Sequence, residues 1–149
     1  MKLEAYFPYK LASTAEAFSR RLVDVYGRTF GLSREEWRLL LLLADAGELT
    51  SLELAKRTTL DKVQVSRAAA KLEEEGLITR SVPKSDRRLR VYTCSDAGQR
   101  LFANVFPQVE ACANAMLRNM KPDDLEALTR GLQALEDAVV QYSHDQKTE

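Results

Sequence analysis

The chain has little histidine, cysteine, glycine or proline, and it has no net charge. Its 149 residues include one histidine, two cysteines, six glycines and four prolines, and 22 cationic side chains balance 22 anionic ones. A single histidine argues against histidine-based catalysis, and with two distant cysteines it cannot close a zinc site. Few glycines and prolines argue against an all-β chain. The zero net charge excludes a uniformly basic coat for nucleic acid.

Long hydrophobic runs are also missing. The longest, Leu39–Ala44, is too short to cross a bilayer, and residues 1–10 lack the apolar core of a secretory signal. No glycine-rich phosphate loop is present, and two cysteines cannot form a disulfide framework. We therefore expect a cytoplasmic, globular protein that is not an enzyme, has no metal site or cofactor, and makes no membrane contact.

The charges that are present are segregated along the chain. Residues 56–90 hold ten cationic and five anionic side chains, a net charge of +5. The 12 cationic and 17 anionic side chains elsewhere give −5. Such segregation is typical of a local anion-binding surface on an acidic body, although a charge run of this kind is often only a solvated helix face.

Two helices are predicted before residue 48. Apolar residues at steps of three and four predict a helix from Leu11 that ends at Gly31. Ser33 and Glu36 then form a capping box, in which each side chain bonds the backbone N–H of the other residue. The helix that this box opens contains the Leu39–Ala44 run, so we expect it to be buried.

A helix-turn-helix and two strands are predicted next. Thr50 and Glu53 form a second capping box at the start of a short helix, and Asp61 caps a helix over Lys62–Glu75. Segments 77–82 and 89–94 are rich in β-branched and aromatic residues, which predicts two strands joined by a polar hairpin tip. A helix-turn-helix followed by a β-hairpin is a winged helix.

Two long helices are predicted after the hairpin. Ser95 caps the first, which extends to Asn119 and contains Pro107, where we expect a kink. Pro122 opens the last helix, whose apolar seam steps by three and four residues. The seam residues are Leu125, Leu128, Leu132, Leu135, Val139 and Tyr142. A seam of this length needs a partner helix, and we favour a second subunit over the first helix of the same chain.

The helix over Lys62–Glu75 carries the side chains that bind bases in a major groove. Arginine bonds guanine, glutamine bonds adenine, and a valine contacts the methyl group of thymine. The candidate DNA-binding residues on this helix are Lys62, Val63, Gln64, Ser66, Arg67 and Lys71. Gln64 has an alternative structural use, because Asp61 and Gln64 match the spacing of a capping box.

The hairpin tip is the second candidate DNA-binding element. Lys84, Arg87 and Arg88 lie there with one acid, Asp86, and Arg90 follows them. Arginines on an exposed hairpin can enter a minor groove or contact phosphates. Alternatively, Asp86 pairs with Arg88 and only stiffens the loop, and both roles are compatible if another arginine contacts DNA.

The chain resembles the MarR family of bacterial transcription regulators. The resemblance lies in Leu54–Ala55, in residues 61–80, and most distinctively in residues 86–98, where Asp-x-Arg precedes a strand and a Ser-x-x-Gly helix start. It extends in helix order and length across almost the whole chain, although Cys94 and Val63 depart from the usual residues. It implies a homodimer whose first and last two helices form the dimerisation region, and in which Lys62–Lys71 enters the major groove and Arg87 or Arg88 the minor groove of a pseudo-palindromic operator.

The predicted fold class is mainly α with a small β-hairpin wing. We expect one MarR-like domain over residues 1–149, with a winged helix-turn-helix at 33–95 and a helical dimerisation region at 1–30 and 100–145. The predicted function is a DNA-binding repressor that acts as a homodimer on double-stranded DNA. The alternative is a winged-helix protein-interaction module.

The resemblance also implies release of DNA by a small aromatic or phenolic ligand. Aromatic side chains are concentrated near the start of the chain, where they line either an effector pocket or, more commonly, a core or dimer interface. The candidate effector residues are Tyr9, Phe18, Tyr26, Phe30, Trp37 and Arg38.

Overall fold

The structure, a computed structural model, describes residues 2–148, and its elements are mainly helical. In chain order they are α1 (Phe7–Tyr26), α2 (Arg34–Ala46), β1 (Glu48–Thr50), α3 (Ser51–Thr58), α4 (Lys62–Glu74), β2 (Ile78–Ser81), β3 (Val91–Cys94), α5 (Asp96–Leu117) and α6 (Pro122–Thr148). One turn of 3-10 helix, Leu3–Ala5, precedes α1. The described residues form two compact units that divide between Cys112 and Ala113. The mainly α fold with a winged helix-turn-helix is confirmed.

Local side-chain chemistry sets the starts of α2 and α3. Ser33 Oγ accepts from the Glu36 N–H at 3.1 Å, and the Ser33 N–H donates to Glu36 Oε2 at 2.6 Å. Thr50 and Glu53 repeat the arrangement at 3.2 and 2.7 Å. The backbone N–H of Thr50 lowers the pKa of the Glu53 carboxyl, because it bonds the charged form. Both predicted capping boxes are confirmed, and a cap of this kind contributes about 1 kcal/mol.

The prediction that the first helix ends at Gly31 is wrong, because α1 ends at Tyr26. The chain leaves the helix there and bonds back onto it: the Leu32 N–H donates to Tyr26 O at 3.1 Å, and the Gly31 N–H donates to Gly27 O at 2.9 Å. Gly31 has φ +68°. It therefore supplies the left-handed residue of the turn between α1 and α2, five residues after the helix has ended.

The sheet has three antiparallel strands in the order β1-β3-β2. The hairpin of β2 and β3 is the predicted one, with Ile78 opposite Cys94, but its strands are shorter than expected. β1, which the sequence analysis did not predict, pairs with the free edge of β3 and places Leu49 opposite Tyr92. Three residues are too few to show the alternation of a strand, so this strand forms only because β3 offers an edge.

The hydrophobic core is centred on α2. Leu39, Leu40 and Leu43 are fully buried there, as the apolar run predicted. Trp37 stacks between Tyr26 of α1, with ring centroids 5.4 Å apart, and Phe102 of α5, at 5.9 Å. Burial of Tyr26 raises the pKa of its phenol. The stack therefore ties α1 and α5 to the helix at the centre of the winged helix.

An ion pair also joins α1 to the start of α2. Arg34 donates from Nη1 to Glu16 Oε2 at 3.0 Å and from Nη2 to Glu16 Oε1 at 3.1 Å. These hydrogen bonds hold the pKa of the Glu16 carboxyl below its usual value. Because the folded state favours the charged carboxylate, the pair stabilises the fold at neutral pH, and its contribution disappears as pH falls through the lowered pKa.

Replacement of Glu16 with glutamine is therefore expected to destabilise the protein at pH 7 more than in acid. The difference in melting temperature between wild type and Glu16→Gln is expected to shrink as pH falls below the ordinary glutamate pKa and to vanish below the lowered pKa, where Glu16 is protonated in the folded state as well. Thermal melts from pH 7 to pH 3 measure it. Glu126→Gln is the control, because Glu126 only meets Arg130 at 3.7 Å in an exposed pair on one helix. If the difference in melting temperature stays constant from pH 7 to pH 3, the Glu16 carboxylate does not stabilise the fold through its pair with Arg34.

The last two helices leave apolar side chains uncovered. α5 continues through Pro107, and the kink expected there stays a prediction. α6 has no buried residue, and its seam residues Leu128 and Leu132 are 44% and 48% exposed. Within the described residues, these two seam positions are therefore exposed apolar side chains.

Candidate nucleic-acid interface

The second helix of the helix-turn-helix, α4, has one buried and one exposed face. Val65, Ala68, Ala69 and Leu72 are buried against the core. The opposite face is exposed and carries all six of the candidate DNA-binding residues on this helix, which are Lys62, Val63, Gln64, Ser66, Arg67 and Lys71. The predicted orientation of α4 is therefore confirmed.

Gln64 is engaged in the cap of α4. Asp61 Oδ1 accepts from the Gln64 N–H at 2.8 Å, and Gln64 Oε1 accepts from the Asp61 N–H at 3.1 Å. This is the capping box that the sequence offered as the alternative to adenine binding. A bidentate contact to adenine needs both Oε1 and Nε2 of the glutamine. While the cap is formed, Gln64 has only its Nε2 donors to offer to DNA.

The cations of this region differ in whether a carboxylate neutralises them. Lys71 Nζ lies 3.6 Å from Glu75 Oε1, and Arg80 Nε lies 3.5 Å from Glu73 Oε2. Within residues 2–148, no carboxylate comes within 4.0 Å of the cationic groups of Lys62, Arg67, Lys84, Arg87 or Arg88. The positive charge available to a polyanion therefore lies at the start of α4, at its middle and at the hairpin tip.

The loop between β2 and β3 is held by bonds to its own backbone. Asp86 Oδ1 accepts from the Arg88 N–H at 2.9 Å, so this carboxylate bonds the backbone of Arg88 and not its guanidinium. Arg90 Nη1 donates to the carbonyl oxygens of Arg87 and Leu89 at 3.0 and 3.2 Å. Asp86 and Arg90 thus shape the loop, while the side chains of Arg87 and Arg88 stay exposed.

The base of the wing is bound to the start of α3. The Ser51 N–H donates to Arg90 O at 2.8 Å, and the Arg90 N–H donates to Ser51 Oγ at 3.4 Å. A cleft of about 440 Å³ lies between α3, α4 and the wing, and its lining includes Lys62, Ser66 and Arg88. The helix-turn-helix and the wing therefore present their cations on one connected surface.

Comparison with known proteins identifies the family. Residues 30–89, which include the helix-turn-helix and most of the wing, match the MarR family model. A MarR family transcriptional regulator from Silicibacter pomeroyi has the same fold, with a TM-score of 0.79 and 26% identity over 93% of each chain. Residues 30–89 therefore belong to the MarR family.

Two further similar proteins match a smaller share of the chain or match it at lower identity. The chain is 26% identical over 98 residues to an HTH-type transcriptional regulator of Bacillus subtilis, YdgJ, a match that covers 66% of this chain and 60% of that relative. The chain therefore matches less than two thirds of that relative's length. The structure of NadR in complex with 4-hydroxyphenylacetate has a TM-score of 0.73 at 21% identity, over 91% of this chain and 95% of NadR. At that identity the likeness concerns the fold alone.

Within residues 2–148, the six candidate effector residues differ in burial. Tyr26 and Trp37 are buried against each other, and Phe18, Phe30 and Arg38 are partly buried. Tyr9 is 46% exposed and precedes Tyr26 by 17 residues on the same helix, which is about 25 Å at 1.5 Å per residue. Tyr26 and Trp37 therefore act as core residues of this chain, and an effector role for the set stays a prediction.

Two contacts of the wing loop are not evident from the sequence. Arg90 adds to the positive charge of the hairpin and also supports the wing loop by donating to two carbonyl oxygens. In the alternative interpretation of the hairpin tip Asp86 pairs with Arg88, and in the structure its carboxylate accepts from the Arg88 backbone N–H. Both depend on the path of an irregular loop, for which spacing along the sequence gives no signal.

Three further findings concern metal ligands, helix hydropathy and one cysteine thiol. Among residues 2–148, no three His, Cys, Asp or Glu side chains are grouped so that they could hold a metal ion. No helix in the same range is both long enough and apolar enough to cross a membrane. Burial raises the pKa of the Cys94 thiol, which disfavours the reactive thiolate.

Proposed function

We propose that this chain is a sequence-specific, DNA-binding transcription regulator, a repressor that acts in the cytoplasm as a homodimer. α4 enters the major groove, and Arg87 or Arg88 reaches the adjacent minor groove or its phosphates. The observation that carries the proposal is the set of exposed cations without carboxylate partners on α4 and the wing. Unpaired cations release counterions from DNA when they bind phosphates, which favours association with a duplex.

A protein-interaction module is the second candidate, since the same basic surface fits an acidic protein. Recovery of duplexes from fragmented genomic DNA by the full chain, at about 0.15 M salt, separates the two. DNA binding predicts enrichment of fragments that share a pseudo-palindromic sequence, because two copies related by a two-fold axis contact two half-sites. Absence of any enriched sequence contradicts the proposed function and favours the interaction module.

The homodimer is proposed from the exposed seam of α6. Leu128, Leu132 and Val139 are 44%, 48% and 57% exposed, and they recur at the spacing of a helix–helix contact. A second copy of the chain offers the same seam, so both seams are buried by one symmetric interface. The dimerisation region predicted for residues 1–30 and 100–145 contains this seam.

Substitution of aspartate at both Leu128 and Leu132 is therefore expected to convert the dimer to a monomer. Burial of four unpaired carboxylates in one symmetric interface costs more free energy than the loss of the leucine contacts alone. Sedimentation equilibrium measures the mass, and Ala134→Asp is the control, because Ala134 is exposed on α6 about 120° from Leu128. A wild-type chain that sediments as a monomer, or a double variant that stays dimeric, contradicts the seam as the interface.

Ligand control is the last part of the proposal. We expect a small aromatic or phenolic effector to weaken DNA binding, and support comes from the complex of NadR with 4-hydroxyphenylacetate. Tyr26 and Trp37 already stack on each other, so a ligand that inserts between the two rings has to separate them.

A further inference from the structure

One large apolar side chain lies on the exposed face of α4. Val63 is 61% exposed, whereas Val65, two residues later, is 2% exposed and packs into the core. Val63 lines a shallow groove of about 370 Å³ together with Lys62, Ser66, Arg67 and Ala70. The lining therefore combines the apolar side chains of Val63 and Ala70 with the cationic side chains of Lys62 and Arg67, a combination that suits an uncharged group carried by a polyanion.

The neighbours of Val63 leave few side chains that can read bases. Gln64 Oε1 is occupied by the Asp61 N–H, so the bidentate contact to adenine is not available. Lys71 Nζ lies 3.6 Å from Glu75 Oε1, so this carboxylate offsets part of the attraction between Lys71 and DNA. Arg67 has no carboxylate within 4.0 Å in the described chain, and its guanidinium keeps all its donors for guanine.

We propose that Val63 determines sequence specificity by packing against the 5-methyl group of a thymine, while Arg67 on the next turn donates to a guanine. This inference rests on the proposed function. Residues four apart on a helix are about one 5.4 Å turn apart, and base pairs rise by about 3.4 Å. Each half-site therefore contains a thymine and a guanine within about two base pairs of each other.

Replacement of single thymines by deoxyuridine tests the proposal, because deoxyuridine lacks only the methyl group. The probe is the duplex that the chain enriches from genomic DNA, with one thymine replaced at a time in both half-sites. At one position per half-site, the replacement is expected to weaken wild-type binding about fourfold for each half-site, the value of one buried methyl group. Fluorescence anisotropy of the labelled duplex measures the affinity.

The variants Val63→Ala and Val63→Thr make the test specific. With Val63→Ala, deoxyuridine at the same position is expected to have no effect, because the contact is already lost. Val63→Thr keeps one of the two methyl groups and is expected to retain most of the discrimination. Val63 is exposed, so alanine at this helix position is expected to leave the melting temperature unchanged or slightly raised.

The possible outcomes separate the proposal from the function on which it rests. If thymine replacement weakens wild type and Val63→Ala equally, or has no effect at any position, Val63 does not read a methyl group and the inference is overturned. DNA binding itself then stands, since the duplex was enriched. If no duplex is enriched, the proposed function fails and the inference fails with it.

Discussion

Replacement of Arg67 with alanine is expected to weaken binding of the enriched duplex by about 1–3 kcal/mol for each half-site. Arg67 is exposed on α4, has no carboxylate partner in the described chain, and lies where the helix-turn-helix presents its outer face. Removal of the guanidinium leaves the hydrogen-bonding groups of the base without a partner. The variant is also expected to accept other base pairs at one position of each half-site.

Arg130→Ala is the matched control for that measurement. Arg130 is an exposed arginine of α6 that lies 3.7 Å from Glu126, so its removal changes the charge by the same amount outside the helix-turn-helix. Binding isotherms for the two variants and wild type, at one salt concentration, give the comparison. Equal losses of affinity in both variants would show that Arg67 contributes only net charge and would contradict its assignment as a base-reading residue.

Replacement of Trp37 with alanine is expected to lower the free energy of unfolding by about 3–5 kcal/mol. The indole is 6% exposed and stacks on the rings of Tyr26 and Phe102, so truncation removes two ring contacts and leaves a cavity at the centre of the core. Urea unfolding measures the loss. Trp37→Phe keeps an aromatic ring in the stack and is expected to lose clearly less.

The decrease in unfolding free energy for Trp37→Ala also tests whether Trp37 lines an effector pocket. A loss below about 1 kcal/mol would mean that Trp37 faces an open cavity, as a role in lining an effector pocket requires. A loss in the expected range means that Trp37 fills the core of this chain.

Local chemistry explains which parts of the structure the sequence predicted. Each capping box joins residues three apart, as Ser33 and Glu36 do, so the helix starts depend on neighbours alone. The faces of α4 follow from the helical period, since Val65 and Leu72 fall on the same side. The boundaries of the winged-helix elements could therefore be predicted to within a few residues, because they follow from the hydrophobic pattern and from the residues at caps and turns.

Contacts between distant residues explain what the sequence did not predict. β1 forms because β3, more than 40 residues later, offers it an edge. The Glu16–Arg34 pair joins residues 18 apart across a turn whose path depends on packing. Arg90 reaches the carbonyl oxygens of the wing only because the loop folds back toward it. These contacts are set by tertiary structure, which the period of a single element does not encode.

The zero net charge of the chain has a physical consequence for its proposed binding to DNA. Segments outside residues 56–90 carry −5, so only the helix-turn-helix and the wing attract a polyanion. Because the attraction is confined to one surface, the protein binds DNA in one orientation and does not coat the duplex. Discrimination between sequences then has to come from contacts such as those proposed for Val63 and Arg67.

The most direct test of sequence-specific DNA binding is the affinity of the full chain for the enriched duplex and for a scrambled duplex of the same composition, across a range of salt concentrations. Both affinities are expected to fall as salt rises, because phosphate contacts release counterions. At physiological salt, the chain is expected to bind the enriched duplex about a thousandfold or more tightly than the scrambled one. Equal affinities for the two duplexes, or binding that does not change with salt, would contradict sequence-specific DNA binding.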